Sequence, residues 1–428
     1  MEMGDNSMLH IIIFDEMDAI MKKRGSTSDS TGVNDSVVNQ LLSKIDGVDA
    51  LNNILIIGMT NRLDMIDEAI MRPGRLEIQI EIGLPDDSGR LSILTIHTAK
   101  MKKFKRITPD CLERLPVIAS LAKNYTGAEL EGLVRAASSF AFARHVDVKD
   151  IKAGDEKAVV VGFDDFEKAI RETVPAFGNK DAVEIKAYCR NGIVNWGPRY
   201  SEFHNTLVKI MQQAKTSKWA HLMSVLLWGD GSTGKTSIAA SLCMESGYDF
   251  VRMISADSMI GMNEAQKCAN IYKIFVDSYK SPLSVIFIDD IERIIELSAG
   301  PRFSNSVLQT LLILLRKVPP TEESRLLIIC TTSVHSSLEV LINDLDDQFT
   351  MSLEVPKLES DSEVSAFLCE VGSMSPGDAA AVAAMCPKPI GAKRLLMALE
   401  LARVDDDSNQ DSLVDKNELM GTLAMTKI

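Results

Sequence analysis

The chain has 428 residues, 46% of them hydrophobic and 25% charged, with only 25 glycines and 14 prolines, which excludes a disordered, collagen-like or low-complexity polymer and allows two or three globular domains. With 46 Lys and Arg against 60 Asp and Glu the net charge is −14, which argues against a general nucleic-acid binder while leaving room for a local anion site. No apolar run approaches the roughly 18 residues that span a bilayer, the first residues lack the basic start of a signal peptide, and seven cysteines without a CxxC spacing fit reduced thiols.

In chain order, Leu9–Phe14 reads as a buried strand, a helical stretch follows around Val37–Ile45, and Ile54–Gly58 and Leu76–Ile82 read as further strands. From about Asp110 to Ile170 the pattern is helical, interrupted by one strand-like run at Ala158–Val161. Thr126-Gly-Ala-Glu129 has the form of a capping box and opens a helix with Leu130, Leu133, Val134, Ala137 and Ala141 on one stripe. A linker is expected near Val174–Lys180. A second series then offers strands at Ser224–Trp228, Phe250–Ile254, Ser284–Ile288, Leu326–Cys330 and Met351–Val355, and Glu359–Ala402 turns helical again. Strands alternating with helices predict α/β units with parallel sheets, and the chain reads as two diverged copies of one plan, a sheet followed by a small helical domain.

Three patterns carry chemistry. Gly229-Asp230-Gly231-Ser232-Thr233-Gly234-Lys235-Thr236 matches GxxxxGK[ST], in which glycines let backbone amides face phosphate oxygens, the lysine adds positive charge and the Thr236 hydroxyl is placed for Mg2+. Val285–Ile288 followed by Asp289 and Asp290 is an apolar strand ending in two acids, the first suited to the Mg2+ water shell and the second, one methylene shorter than a glutamate, to polarising a water. The first series has its own acid-tipped strand ending in Asp15 and Glu16, a second strand that leads to Asn61, and the turn Arg72-Pro-Gly-Arg75, whose arginines suit phosphate charge stabilisation across a subunit boundary. No GxxxxGK[ST] precedes Asp15.

These motifs, with the segments Gly32–Leu51 (including VVNQLLSKIDGV), Ile56–Arg75, Gly127–Ala137, Lys280–Arg293, Gly300–Asn305 (GPRFSN) and Gly391–Met397, resemble the AAA+ ATPases over nearly the whole chain, and within them the vesicle-fusion branch. The resemblance implies two AAA+ P-loop-type modules in tandem: a partial first core at 1–100, a helical domain at 101–177, a second core at 178–356 and a second helical domain at 357–428. It implies ATP and Mg2+ as ligands, a homo-hexamer, and disassembly of SNARE complexes delivered by SNAP adaptors, with a cytoplasmic location peripheral to vesicle and Golgi membranes through those adaptors. By motif position Asp15 and Glu16 match the acids of the first module, Asn61 its sensor 1, Arg72 and Arg75 its arginine fingers, and Gly127-Ala128 its sensor 2 region. In the second module Gly229–Thr236 with Ser237 matches the phosphate loop, Asp289 and Thr236 the metal ligands, Asp290 the catalytic acid, Ser333 sensor 1, Lys393 sensor 2, and Gly192-Ile193-Val194 the segment along the adenine.

The chain departs from the pattern as well. An adaptor-binding domain, the first P-loop and its pore loop do not occur in it, so it is expected to begin inside the first module, and residues 1 to about 85 are expected to pack poorly when isolated. No arginine occurs in Asp344–Phe349, where the second module would carry its finger, leaving Arg316 or Arg325 as candidate cations from a neighbour. Hydrolysis without a finger is expected to be slower by about 10³–10⁵. Three readings stand: a SNARE-disassembly ATPase, an ATP-binding assembly module, or another double-ring unfoldase. The six scattered histidines predict no metal site, Lys100–Arg106 reads as a solvated helix end, and the 21 methionines read as core fill.

Overall fold

The structure, a computed structural model, describes residues 8–21, 40, 43–45, 53–145, 159–173, 175, 177, 181–190, 192–217, 219–297, 303–321, 324–341, 346–371, 374–403, 414 and 416–425. Most of VVNQLLSKIDGV, the residues Gly300–Arg302 and most of the expected linker lie outside these residues. The chain divides into two compact units, Met1–Gly83 and Leu84–Ile428.

In the first unit β1 (His10–Phe14) pairs in parallel with β2 (Ile54–Gly58), Phe14 opposite Gly58. A short helix, Met17–Ile20, follows β1, and Met17, Met21, Ile66 and Ile70 form a small core. The strands themselves are not covered: Ile11 is 57%, Ile13 61% and Leu55 47% exposed. The third strand expected at Leu76–Ile82 does not form. Its backbone is irregular, and Ile78, Ile80 and Ile82 lie open to solvent. The second unit shows the physical reason, for there the last strand hydrogen-bonds only to the strand that feeds the phosphate loop, and the first unit has no such strand among the described residues. A period of two in the sequence is satisfied only if a neighbour supplies the ladder.

The second unit opens with a helical bundle. Asp86 caps the helix Asp87–Lys103, accepting from the Gly89 amide at 2.7 Å. The capping box forms as written: the Thr126 amide donates to Glu129 Oε2 at 2.7 Å and the Glu129 amide to Thr126 Oγ1 at 3.3 Å, opening the helix Gly127–His145. Leu130, Leu133, Val134, Ala137 and Ala141 all lie in the bundle's core. At Val161 the strand-like run makes one isolated parallel bridge, to Ile107.

A five-stranded sheet follows, in the order β4 (Phe250–Ile254), β5 (Leu283–Ile288), β6 (Arg325–Thr332), β3 (Leu222–Trp228), β7 (Met351–Glu354), every neighbouring pair parallel. The strands are near-continuous apolar runs because both faces are covered. On one face Val225, Leu227, Val285, Phe287, Leu327 and Ile329 pack with the helices Pro198–Thr216 and Lys235–Glu245. On the other, Leu226, Ile286, Ile288, Leu326 and Ile328 pack with Glu264–Ser278 and Asn305–Arg316. Ser304, from the GPRFSN segment, caps the last of these helices. The helices Asp361–Glu370, Pro376–Met385, Ala392–Arg403 and Lys416–Met425 form a C-terminal bundle whose Val364, Phe367 and Leu395 continue the first of the two cores. With β3 lying between β6 and β7, the ends of β3, β5 and β6 open onto one crevice, where ligands of open α/β sheets bind.

Candidate nucleotide-binding site

The loop that leaves β3 has a backbone only small or tolerant residues accept. Gly229 has φ 151°, Ser232 φ 70° and Gly234 φ 93°. A side chain at Gly229 would press on the Val355 carbonyl, at 3.4 Å. The loop ends at the first turn of the helix Lys235–Glu245, where backbone amides and the helix dipole favour an anion. Lys235 is 5% exposed, and its ammonium donates to the carbonyls of Gly229 (3.0 Å) and Asp230 (2.7 Å). Burial pushes this lysine below its ordinary pKa, against the pull of Asp290, Glu292, Asp230 and Asp289. Asp230, exposed, pairs with Lys357.

The two strand-end acids lie beside this loop. Asp289 Oδ1 accepts from Thr236 Oγ1 at 2.8 Å and from Thr331 Oγ1 at 2.7 Å, and Thr331 Oγ1 in turn accepts from the Asp290 amide at 2.8 Å. Burial raises the pKa of Asp289, the two hydroxyls oppose this, and the charges of Asp290 and Glu292 add to it. A hydroxyl and a carboxylate in direct contact are hard oxygen donors of the kind Mg2+ takes. Asp290 has left-handed backbone, φ 48°, and its carboxylate contacts Arg293 Nε at 3.2 Å. Ser333 offers its backbone amide to Glu292 Oε1 at 2.9 Å.

Beside the loop opens a cavity of about 330 Å³. Gly192, Ile193 and Val194 line one wall, Thr233, Gly234 and Ser237 the end at the loop, and Lys393 with Leu396 of the C-terminal bundle another wall. Gly192, at φ 67°, turns the chain into that wall. The bundle meets the loop through the Lys393 amide, which donates to the Ser232 carbonyl at 3.0 Å, and Gly391 approaches the same carbonyl so closely that an added Cβ would sit 2.5 Å from its oxygen. The residues singled out in the second sequence series thus meet in one crevice: Gly229–Ser237, Asp289, Asp290, Ser333, Lys393 and Gly192–Val194.

The residues singled out in the first series lie in the first unit. Asp15 Oδ1 accepts from the Glu16 amide at 2.9 Å, and Glu16, like Asp290, has left-handed backbone, φ 47°. Asn61 is exposed at the end of β2. Arg72 and Arg75 close a turn in which the Arg75 amide donates to the Arg72 carbonyl at 3.1 Å, with Gly74 at φ 84°. Arg75 also donates from its guanidinium to the Ala69 carbonyl at 2.5 Å, while Arg72 is exposed. Arg316 donates to the Asp347 carbonyl at 3.2 Å. Arg325 begins β6, at the end of the strand away from its own crevice, with a buried Nη1 that has no partner among the described residues.

Four residues of the crevice escaped the sequence reading. Thr331 lies just past the expected strand Leu326–Cys330, and only the β5–β6 register, Ile288 opposite Cys330, brings it beside Asp289. Glu292, in the short helix after β5, is 9% exposed, with Oε2 unpartnered among the described residues. Tyr188 lines the cavity at the acid end, its pKa raised by burial and then by Asp289. Lys357 reaches Asp230 across 127 residues of sequence. The spacing of a motif carries no information about partners that the sheet alone brings together.

The AAA family profile, described as ATPase family associated with various cellular activities, matches residues 2–84 and 225–357, which hold the two parallel sheets. The chain is 45% identical over 412 residues to the vesicle-fusing ATPase of Dictyostelium discoideum (96% of this chain, 55% of the relative). It is 46% identical over 405 residues to that of Arabidopsis thaliana (94% and 53%). To the vesicular-fusion protein SEC18 of Saccharomyces cerevisiae it is 41% identical over 416 residues (94% and 54%). The chain spans about half the length of the curated relatives it matches. Among the described residues no helix is long and apolar enough to cross a membrane. Two matched segments, each on a parallel sheet whose second strand-end acid takes the same left-handed turn, place this chain in the AAA family of ATPases.

Proposed function

We propose that the second module binds Mg-ATP in the crevice at Gly229–Thr236, and that the chain acts in vesicle trafficking as part of a homo-hexameric ATPase that takes SNARE complexes apart with SNAP adaptors. The observation that carries the nucleotide reading is the contact Thr236–Asp289–Thr331 beside a glycine-bounded loop and a cavity. The relatives' names support the trafficking role.

In this reading the backbone of Asp230–Gly234 cradles the phosphates, the Lys235 ammonium exchanges its two carbonyl partners for phosphate oxygens, and the apolar cavity takes the base along Gly192–Val194. Ser333 and Lys393 approach the nucleotide from β6 and from the C-terminal bundle. Thr236 and Asp289 would hold a magnesium ion, which would supply positive charge against the phosphates. Asp290 aligns the attacking water, but it is short and already engaged by Arg293, and the stretch Asp344–Phe349 brings no arginine. The module therefore holds ATP more readily than it cleaves it, and its main work is ATP-dependent assembly. Asp15, Glu16, Asn61, Arg72 and Arg75 serve the first ring, the arginines reaching across to a neighbouring copy's nucleotide.

Turnover and mass of the purified chain test this together. Light scattering is expected to show a larger assembly with Mg-ATP than without it, while phosphate release stays slower by about 10³–10⁵ than that of a finger-equipped site and vanishes in Lys235→Ala. Rapid turnover by single chains would contradict the assembly role.

A further inference from the structure

The segment Gly192–Val194, which walls the cavity, is preceded by the helix Ala182–Tyr188, and Asp181 stands at the start of that helix, directly after the expected linker. One carboxylate oxygen of Asp181, Oδ2, accepts from the Met253 amide and from Arg252 Nε, each at 2.8 Å. Both donors belong to β4, the edge strand of the five-stranded sheet. An edge strand turns alternate amides away from its neighbour, where the ladder cannot reach them. The Met253 amide is one of these, because the adjoining Ile254 carbonyl turns inward and accepts from the Asp289 amide at 3.0 Å. Asp181 therefore takes the place a further strand would take, with a charge that matches Arg252.

From that anchor the helix leads to the base pocket. Ile185 is fully buried in the core that holds Ala239, Cys243 and Met253. At the far end the Cys189 thiol approaches the Ser237 carbonyl, at 3.9 Å, in the first turn of the helix Lys235–Glu245. Tyr188 and Arg190 line the cavity, and the Gly192 amide donates to the Cys189 carbonyl at 3.0 Å, which ties the left-handed turn at Gly192 to the end of this helix. A helix of seven residues is too short to hold its own conformation in water, so its place is set by what it touches. Ile185 supplies apolar contact without direction, and the two hydrogen bonds of Asp181 fix where the helix begins.

We propose that Asp181 is a positioning residue for nucleotide binding: by holding the start of the helix Ala182–Tyr188 on β4, it keeps Gly192–Val194 in place as a wall of the base pocket. This rests on the reading of the crevice as an ATP site, and Asp181 acts on the nucleotide only through that wall. Without the anchor the wall is correctly placed in a fraction of the molecules, and the apparent affinity falls by that fraction. The phosphate loop is held by β3 and by the Lys235 contacts, so the loss falls on the base and spares the phosphates.

The test is calorimetry on the full chain with two ligands, Mg-ATP and Mg-tripolyphosphate, the second of which has the phosphates and no base. In Asp181→Ala the affinity for Mg-ATP is expected to fall about tenfold, the equivalent of one lost hydrogen bond, while that for Mg-tripolyphosphate stays as in the native chain. The unchanged affinity also shows that the phosphate loop is folded. Asp181→Asn keeps a side-chain oxygen for both donors and is expected to recover most of the loss. Native Mg-ATP affinity in Asp181→Ala, equal weakening for both ligands, or an asparagine variant no better than the alanine overturns the proposal while leaving the ATP site standing. A native chain that binds neither ligand overturns the site reading itself.

Discussion

The two acid-tipped strands of this chain end in the same way and stand in different surroundings. In both, the second acid takes left-handed backbone, Glu16 at φ 47° and Asp290 at φ 48°. In both, a carboxylate three residues beyond the first acid reaches across to the end of the next strand: Asp18 Oδ1 accepts from Thr60 Oγ1 at 2.8 Å, and Glu292 Oε1 from the Ser333 amide at 2.9 Å. In both, a threonine hydroxyl there accepts from the amide two residues on, Thr60 from Arg62 and Thr332 from Val334. The strand registers make Asn61 and Ser333 equivalent. Where the second module has Thr331 on its first acid, however, the first has Met59. Asp15 is exposed, while Asp289 is held by two hydroxyls and raised in pKa by burial. The strand-end turn is thus encoded locally, in a handful of residues, whereas the electrostatics of the site require the rest of the sheet and the phosphate loop.

The comparison breaks most visibly at glycine. A Cβ at Gly391 would meet the Ser232 backbone, at 2.5 Å from its oxygen and 2.9 Å from its carbon, and neither atom can rotate away. Gly391→Ala is expected to cost about 1–3 kcal/mol in thermal unfolding and to weaken nucleotide binding, because the C-terminal bundle must lift from the loop. At Gly58 the atom in the way is the Met17 sulfur, the far part of a flexible side chain, so Gly58→Ala is expected to be nearly neutral. Equal losses at both positions would mean that the bundle does not clamp the loop.

A second effect, of similar size in stability, tests the crossing carboxylate. Glu292→Ala leaves the Ser333 amide without its acceptor and is expected to cost about 1–3 kcal/mol, whereas Glu292→Gln keeps an acceptor oxygen and recovers most of it. Both are read from denaturant midpoints at constant slope. If the glutamine variant loses as much as the alanine, the charge matters and the shared hydrogen bond does not.

The smallest effect concerns the strained turns. Glycine enters left-handed backbone without the penalty a side chain meets, so Glu16→Gly and Asp290→Gly are each expected to gain up to about 1 kcal/mol of local strain relief, offset in Asp290→Gly by the lost Arg293 contact. A rise in melting temperature for neither variant would deny that the two turns store strain.

Much of this was legible in the residues. The strands of the second sheet are largely apolar runs, and each forms within two residues of its expected bounds, because a central strand buried on both faces needs little beyond apolarity and length. The capping box at Thr126–Glu129 is a purely local device and forms as written. Leu76–Ile82 misled because an alternating pattern states which face would be buried and not whether a neighbouring strand exists. Thr331, Glu292 and Tyr188 carry no motif at all. They become site residues through strand register and through the packing of the helix Ala182–Tyr188 beside the phosphate loop, which no spacing rule states.

The central claim is that a triphosphate lies against Lys235 at the end of β3. Titration calorimetry of the whole chain with Mg-ATP tests it most directly. The account predicts saturable binding at one site per chain, weakened about a hundredfold or more in Lys235→Ala by loss of a buried, hydrogen-bonded charge, with Arg72→Ala leaving it unchanged. Binding of equal strength in the native chain and in Lys235→Ala, or no heat of binding from the native chain at all, would contradict it.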